Sequence, residues 1–423
     1  MTFAQTVSTK RKLSSRNRAD TAFKMLGRGA LLLAFCSLLA LAIAIFSRTL
    51  PALTHHQITL DVAFEPDAFD YQTSAPSGTD ASYRLIYANY GQIVGRSLEK
   101  AFPEIVDPAE KRALRRLVSP TARMQLRDRV LANPSWIGTK QRVALYVSKG
   151  AENILDANEE TVDPQLTLWL TQLQDRRALS TTFKSTLFTR GDSREPESAG
   201  LLAALVGSLL TIAVSVAISF PVGLLSAVYL EQFATRSRLT DIIEVNINNL
   251  AAVPSILFGL LGLAVFINVF HMPRSSPLVG GLTLSLMMLP TIIIASRAAL
   301  SAVPNALKAG ALAVGASPVQ AIFHHVVPQA MPGIITGTLL AIAQALGETA
   351  PLLLLGMVAF IVDLPSEFTD AATALPVQIY MWAESPETAF SNNAAAAVVV
   401  LLCLLLALNS LAMILRSRFQ KRI

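Results

Sequence analysis

Three side chains in the second half of the chain carry charge or hydrogen-bonding capacity within almost wholly apolar surroundings: Arg297, Gln344 and Glu348. Glu348 sits in the stretch GETAPLLL at 347–354. A carboxylate is costly in hydrocarbon, so it must face protein or a water-filled path. Two readings stay open: an acid paired with a base for packing, or an acid beside a path for a solute. Pro351 lacks an N–H, and its ring frees the carbonyl of Gly347, four residues back. Gly347 and Pro351 therefore mark a helix break of the kind that lines transporter sites. Gln344 and Glu348 are four apart and share one helical face. Arg297 lies near the end of another apolar run, where it either snorkels to the interface or faces the path. Thr349, beside Glu348, and Ser255, after the second candidate break at Pro254, complete the candidate path set. No catalytic constellation accompanies these residues. The pairs His55–His56 and His324–His325 lack acidic or thiol companions at ligand spacing, so neither a metal nor a cofactor is expected.

The elements that must position these groups meet in residues 300–351. Residues 300–332 read as a weakly polar loop between two apolar runs, with a pair of short helices at 305–327. Ser317 is placed to cap the second helix, Pro318 takes its first position, and Gln320 falls at the capping-box position. Pro328 and Pro332 are expected to end it. Gly315 lies in the turn, where a backbone without Cβ bends freely. Ala309, Gly310 and Ala311 keep the preceding helix thin, so that another surface approaches closely.

The chain has 423 residues, 52% of them hydrophobic and 15% charged, which is a membrane composition. The net charge of +6 gathers at the two ends rather than in an aromatic-studded patch, which argues against nucleic acid. Cys36 and Cys403 lie inside apolar runs and read as packing residues. Residues 1–28 form a basic tail (Lys10, Arg11, Lys12, Arg16, Arg18, Lys24 and Arg28 against Asp20), expected to be disordered and cytoplasmic. Residues 29–47 form the first span, favoured over a cleaved signal peptide because both the basic region and the apolar run are long. Residues 48–198 are polar and mixed in charge, and read as a small, mainly helical domain outside the cytoplasm. Helices are expected over 83–103 and 108–132, the latter capped by Asp107, with a strand at 143–148 and flexible edges near 62–82 and 190–198.

Five more spans follow, at about 199–230, 242–270, 277–299, 333–361 and 393–415. The second is rich in small residues that allow tight helix packing. The third opens with Glu244, Asn246, Asn248 and Asn249, which should face protein or a cavity. Tyr380 and Trp382, in the loop 362–392, suit the interface. Arg416, Arg418, Lys421 and Arg422 mark a cytoplasmic tail at 416–423, and six spans with both ends inside satisfy the positive-inside pattern. The fold class expected is thus an all-α membrane protein of six transmembrane helices with an insertion after the first. No G-x-x-x-x-G-K-[ST] loop is present, so energy from ATP must come through a separate ATPase. A helix pressed into that partner's groove from 305–327 would pass its motion to the adjoining spans.

Ala309-Gly310-Ala311, three residues, Gly315, nine residues, His325, one residue, then Val327-Pro328 resembles the EAA loop of binding-protein-dependent ABC transporter permeases. GETAPLLL, with AVYLEQFA at 227–234 and NLAAVPSILFGLLGL at 249–263, is similar to the PstA family of phosphate permeases. The resemblance covers roughly 198–420. It implies the type I ABC importer (MetI-like) fold. It also implies inorganic phosphate as substrate, a PstC-like second permease subunit, a dimeric PstB-like ATPase and a PstS-like periplasmic binding protein. On this resemblance Ala309, Gly310, Ala311, Gly315, Ser317 and Pro318 are the ATPase-coupling residues, and Arg297 matches a family arginine. A second family arginine is replaced by Gln344, so the anion meets a neutral donor there or a cation from the partner. Other oxyanions such as sulfate or molybdate, and a membrane sensor built on the 48–198 domain, are the alternatives.

Overall fold

A computed structural model describes residues 3–69, 85–155, 163–358 and 360–420. The first helix, Phe3–Ala52, is continuous from the basic region through the first span, so the backbone of the expected disordered tail is helical from Phe3. Its apolar part, Asp20–Ala52, is long enough to cross a membrane and packs mainly along the last span.

The inserted domain is a helical layer around a small sheet. Strands β1 (Thr54–Ala63), β2 (Lys140–Tyr146) and β3 (Leu179–Phe183) form an antiparallel sheet in the order β2-β1-β3, with Ile58 opposite both Leu145 and Leu179. Ile58, Leu60 and Val62 alternate inward along β1 and meet Val143 and Leu145 under the helices Tyr90–Ala101 and Pro164–Asp175. Only the strand near 143–148 was anticipated. β1 and β3 interleave strand-favouring Thr, Ile, Val and Phe with His, Gln and Ser, and their pairing with β2 and with each other settles the conformation. The helix expected over 108–132 is broken. Pro108–Leu114 ends before Ser119-Pro120, where Val118 bridges Val147, and a new helix runs Ala122–Ala132. Asp107 holds the N-cap position, but its side chain makes no capping bond. Most of the expected flexible edge near 62–82, and Lys421 and Arg422, lie outside the described residues.

The membrane part is built around the helix Pro277–Ser301. It runs parallel to Leu202–Val228 and antiparallel to Val327–Gly347. Along Leu202–Val228 the buried positions Ala203, Gly207, Thr211, Ser215, Ser219, Gly223 and Ala227 recur every fourth residue, forming one thin ridge. A Cβ on Gly223 would lie 2.7 Å from Ile292, and Ser215 Oγ donates to the Gly281 carbonyl at 3.0 Å. The fifth span meets the fourth just as closely, Gly333 and Gly337 against Ala299 and Ala295.

Two spans differ from the sequence expectation. The third is not one rod: Arg238–Ala251 and Ser255–Val269 meet at a 100° bend beside Pro254. Glu244, Asn246, Asn248 and Asn249 lie on the first of these helices, which buries no residue within this chain. The fifth does not start afresh at 333, because the short helix expected to end at Pro328 and Pro332 does not stop there. The helix begun at Pro318 passes through a π-turn, Ile322–Val326, into Val327–Gly347. The wider i→i+5 turn leaves room for the Pro328 ring, and each proline removes only one donor from the ladder. Trp382 is no interface anchor either. It is 3% exposed within the helix Leu375–Ala383, and its Nε1 donates to Asp192 Oδ1 at 3.2 Å.

Candidate functional site: a broken span and a capped loop

The helix Val327–Gly347 stops where the proline chemistry requires. Glu348 is extended at φ −78°, ψ 122°, and a short helix, Ala350–Leu354, follows. Gly356, at φ +87°, turns the chain away. The break is held by the other broken span. A Cβ on Gly259 would lie 2.7 Å from Pro351 Cα, and one on Gly262 would lie 3.1 Å from Leu355. The glycines of SILFGLLG thus let one helix touch the backbone of the other at the break. Ser255 is half-buried at the start of this helix, and Pro254 is exposed beside it.

Thr336, Leu340, Gln344 and Gly347 form an exposed stripe on the fifth span, spaced by four, four and three residues. Leu340 is 65% exposed. Ile256, Leu257, Leu260 and Leu261 are exposed on the helix that braces the break. These are faces without a partner in this chain. Glu348 and Thr349 are half-buried at the end of the stripe. Among the described residues no hydrogen bond or ion pair holds the Glu348 carboxylate. Because Glu348 leaves the helix, the expected shared helical face with Gln344 is not formed.

Arg297 is elsewhere. Its Nη2 donates to Glu244 Oε1 at 2.7 Å and its Nε to Glu231 Oε2 at 3.3 Å. From the Gly333–Ala299 and Gly337–Ala295 contacts, Arg297 lies level with residues 334–336 of the fifth span. Gln344 is then roughly 12–15 Å farther along the axis, at 1.5 Å per residue. The structure brings Glu348, Thr349 and Gln344 to one end of an exposed face, braced by the Ser255 helix, and does not bring Arg297 to them. Glu231 is in the π-turn Tyr229–Phe233 that ends the second span, and Glu244 is on the amphipathic helix before the bend. Neither was singled out as a partner for Arg297. The usable signal was their location: two acids at the ends of apolar runs with one arginine to neutralise them.

The capped loop lies at the Arg297 end. Ser317 Oγ accepts from Gln320 N at 3.3 Å, and Gln320 Oε1 accepts from Ser317 N at 2.9 Å, closing the expected capping box with Pro318 in the first turn. Gly315 turns the chain at φ +92°. Ala309 and Gly310 are exposed while Ala311 packs inward. Val314 is 87% exposed and Val319 54%, so the loop presents apolar tips. Lys308 Nζ donates to Gln232 Oε1 at 3.0 Å, next to Glu231. The loop, the end of the second span and the Arg297 pair are thus one connected cluster.

Residues 219–423 match the family described as the binding-protein-dependent transport system inner membrane component. Residues 10–165 match a family described as a domain of unknown function (DUF3333). The phosphate transport system permease protein PstA of Haemophilus influenzae is 33% identical over 223 residues, which are 53% of this chain and 78% of that protein. PstA 1 of Mycobacterium tuberculosis (strain CDC 1551 / Oshkosh) is 35% identical over 200 residues, 47% of this chain and 65% of that protein. An inward-facing MetNI methionine ABC transporter structure matches at TM-score 0.39 and 17% identity, over 52% of this chain and 94% of that one. Broken spans, a capped loop and a multi-pass apolar body define an integral membrane permease of the ABC importer class. Within that class, the chain belongs to the PstA family.

Proposed function

We propose that the chain is one of two permease subunits of an ATP-driven importer that moves inorganic phosphate across the bacterial cytoplasmic membrane. It performs no chemistry on its substrate. A PstC-like subunit covers the exposed stripe of the fifth span, a dimeric PstB-like ATPase receives the capped loop, and a PstS-like protein delivers phosphate from the periplasm. Both termini are cytoplasmic and the inserted domain is periplasmic.

The single observation that carries this reading is the loop 305–327. It is a helix with exposed Ala309 and Gly310, a positive-φ glycine and a closed capping box, with Val314 almost fully exposed at its tip. Such a rigid, apolar-tipped element between two spans suits docking in a partner's groove. The relatives' printed function, phosphate transport, supports the substrate. The path runs along Gln344, Glu348, Thr349 and Ser255. Glu348, half-buried and unpaired here, meets a cation or the path across the subunit interface. Arg297 acts as a tie between spans and loop rather than as a phosphate ligand.

The test is phosphate uptake in a strain lacking its own high-affinity importer, complemented with this chain and its partners. Phosphate-limited uptake restored by the chain, and not competed by sulfate or molybdate, supports the reading. Uptake competed by either oxyanion reassigns the substrate, and no uptake with an assembled complex removes the transport role.

A further inference from the structure

The inserted domain contains a basic cleft that the transport reading does not use. It is a cavity of about 610 Å³ between the helices Tyr90–Ala101 and Ala122–Ala132 and the start of the helix Lys149–Leu155. Arg112, Arg115, Arg116, Arg123 and Lys149 line it, against Glu195 as the one lining acid. The fold creates this concentration from a short stretch. Lys111 to Arg123 carries five cations and no acid. The Val118–Val147 bridge, with Ser148 N on the Leu117 carbonyl at 2.9 Å, then lays Lys149 beside it.

Acids elsewhere neutralise only part of this charge. Arg115 reaches Glu99 at 3.4 Å and Lys149 reaches Glu387 at 2.9 Å. Arg112, Arg116 and Arg123 enter no ion pair among the described residues. Gly95 leaves the space in which the Arg115 guanidinium lies against its helix, 3.1 Å from where a Cβ would stand. Val94, Val118, Ala122 and Leu166 give the cleft an apolar floor. An adjoining cavity of about 680 Å³ shares Pro120, Arg123 and Glu195 and adds Arg190 and Arg194 together with the acids Asp192 and Asp363, so the excess of cations is in the first cleft. Guanidinium groups gathered along one concave, solvent-facing surface raise the local positive potential and attract anions, and their planar forks match phosphoryl oxygens.

We propose that this cleft binds an anion bearing more than one phosphoryl charge. A single oxyanion is far smaller than the cavity, and three unpaired arginines exceed its needs. The size is that of ordinary ligand sites, about 300–1,000 Å³. Two sources share this chemistry. One is a free oligophosphate. The other is the headgroup of an anionic lipid, since Lys149 is tied to Glu387 at the start of the last span, Thr388–Gln420. The site stands whichever solute the permease carries.

The test uses the full chain in phosphatidylcholine nanodiscs, titrated with sodium tripolyphosphate by calorimetry. A parallel arm measures enrichment of cardiolipin, whose headgroup carries two phosphodiesters, over phosphatidylcholine on the purified chain by native mass spectrometry. Saturable tripolyphosphate binding identifies a free oligophosphate site, and selective cardiolipin retention identifies a lipid site. Either should weaken by roughly tenfold per arginine removed in Arg116→Gln and Arg123→Gln, the scale of one charge-assisted hydrogen bond. Arg129→Gln, on the same domain outside the cleft, should bind as the unaltered chain does. The proposal is overturned if the unaltered chain binds neither probe, or if the folded double variant binds as well as Arg129→Gln.

Discussion

Arg297 shows how one side chain changes meaning with its neighbours. Alone it is a cation in an apolar span; between Glu231 and Glu244 it is a tie among the second, third and fourth spans. Arg297→Gln leaves two acids without their base, a loss on the order of 1–2 kcal/mol at this partial exposure, or about tenfold in an equilibrium. Uptake should fall while the complex still assembles. The double variant Glu231→Gln/Glu244→Gln should lower uptake comparably. If only the arginine change matters, Arg297 is a path residue after all. His55 makes a second residue-scale case. Burial, with Lys184 nearby, depresses its pKa from 6.5 to about 4. Its Nε2 is 2.7 Å from Gln57 Nε2, while Nδ1 has no partner. The unfolded chain therefore binds more protons between pH 4 and 6.5. His55 contributes stability that is present above pH 6.5 and lost as pH falls towards 4. Burial raises the carboxyls of Asp192 and Glu197, which gives the opposite slope. Both carboxyls are retained in His55→Gln, so the difference in thermal midpoint between wild type and variant isolates the histidine. That difference should change between pH 6.5 and 4.5; a constant offset would show that His55 does not titrate there.

At the scale of elements, two glycines separate conformational freedom from close approach. Gly315 has open space around it but φ +92°, so any side chain is strained by about 1–2 kcal/mol. Gly315→Val should bend the loop away from its docking geometry. The chain should still reach the membrane with its partners, but phosphate-stimulated ATP hydrolysis should drop. Normal stimulated hydrolysis would remove the coupling role. Gly259 has ordinary helical backbone, and its constraint is Pro351 Cα, 2.7 Å from a would-be Cβ. Gly259→Leu should cost about 1–3 kcal/mol through overpacking against backbone that cannot yield. Gly310→Ala, in an exposed helix with nothing nearby, should be neutral or raise the chain's stability by up to about 1 kcal/mol. Thermal unfolding of the two variants in one detergent should differ in sign; equal midpoints would mean the broken spans are not packed this tightly.

The whole molecule is joined by a seam of buried polar groups between the inserted domain and the spans. Lys184 Nζ donates to the Pro196 carbonyl at 2.5 Å and to Asn393 Oδ1 at 3.1 Å, and burial lowers its pKa to about 8. Asp192 N donates to the Ile361 carbonyl at 2.8 Å while its carboxylate accepts from Trp382. These bonds fasten the domain to the start of the second span, the loop after Gly356 and the last span. The proposed orientation has six crossings with both termini on one side and the inserted domain on the other. Reporter fusions at residues 120 and 320 should therefore report opposite sides, outside and inside. A cytoplasmic signal at 120 would overturn the proposed orientation.

What the sequence determined by itself was local and one-dimensional. Apolar length marked the first, second, fourth and last spans. Proline and glycine chemistry marked the breaks at Pro254 and at Gly347–Pro351, the turn at Gly315 and the capped start at Ser317. Each of these depends on one residue and its chain neighbours, so no tertiary information was needed. The tertiary structure alone decided what long-range contacts decide. β1 and β3 are short runs mixing Thr, Ile, Val and Phe with polar His, Gln and Ser, and what fixes them as strands is the pairing of Ile58 with Leu145 on one side and Leu179 on the other. Pro328 and Pro332 fail to end a helix because a π-turn absorbs the first. Trp382 is buried because Asp192, nearly two hundred residues earlier, offers an acceptor. Arg297 is paired with two acids that follow no spacing rule, since ion pairs form wherever packed helices bring opposite charges out of water together.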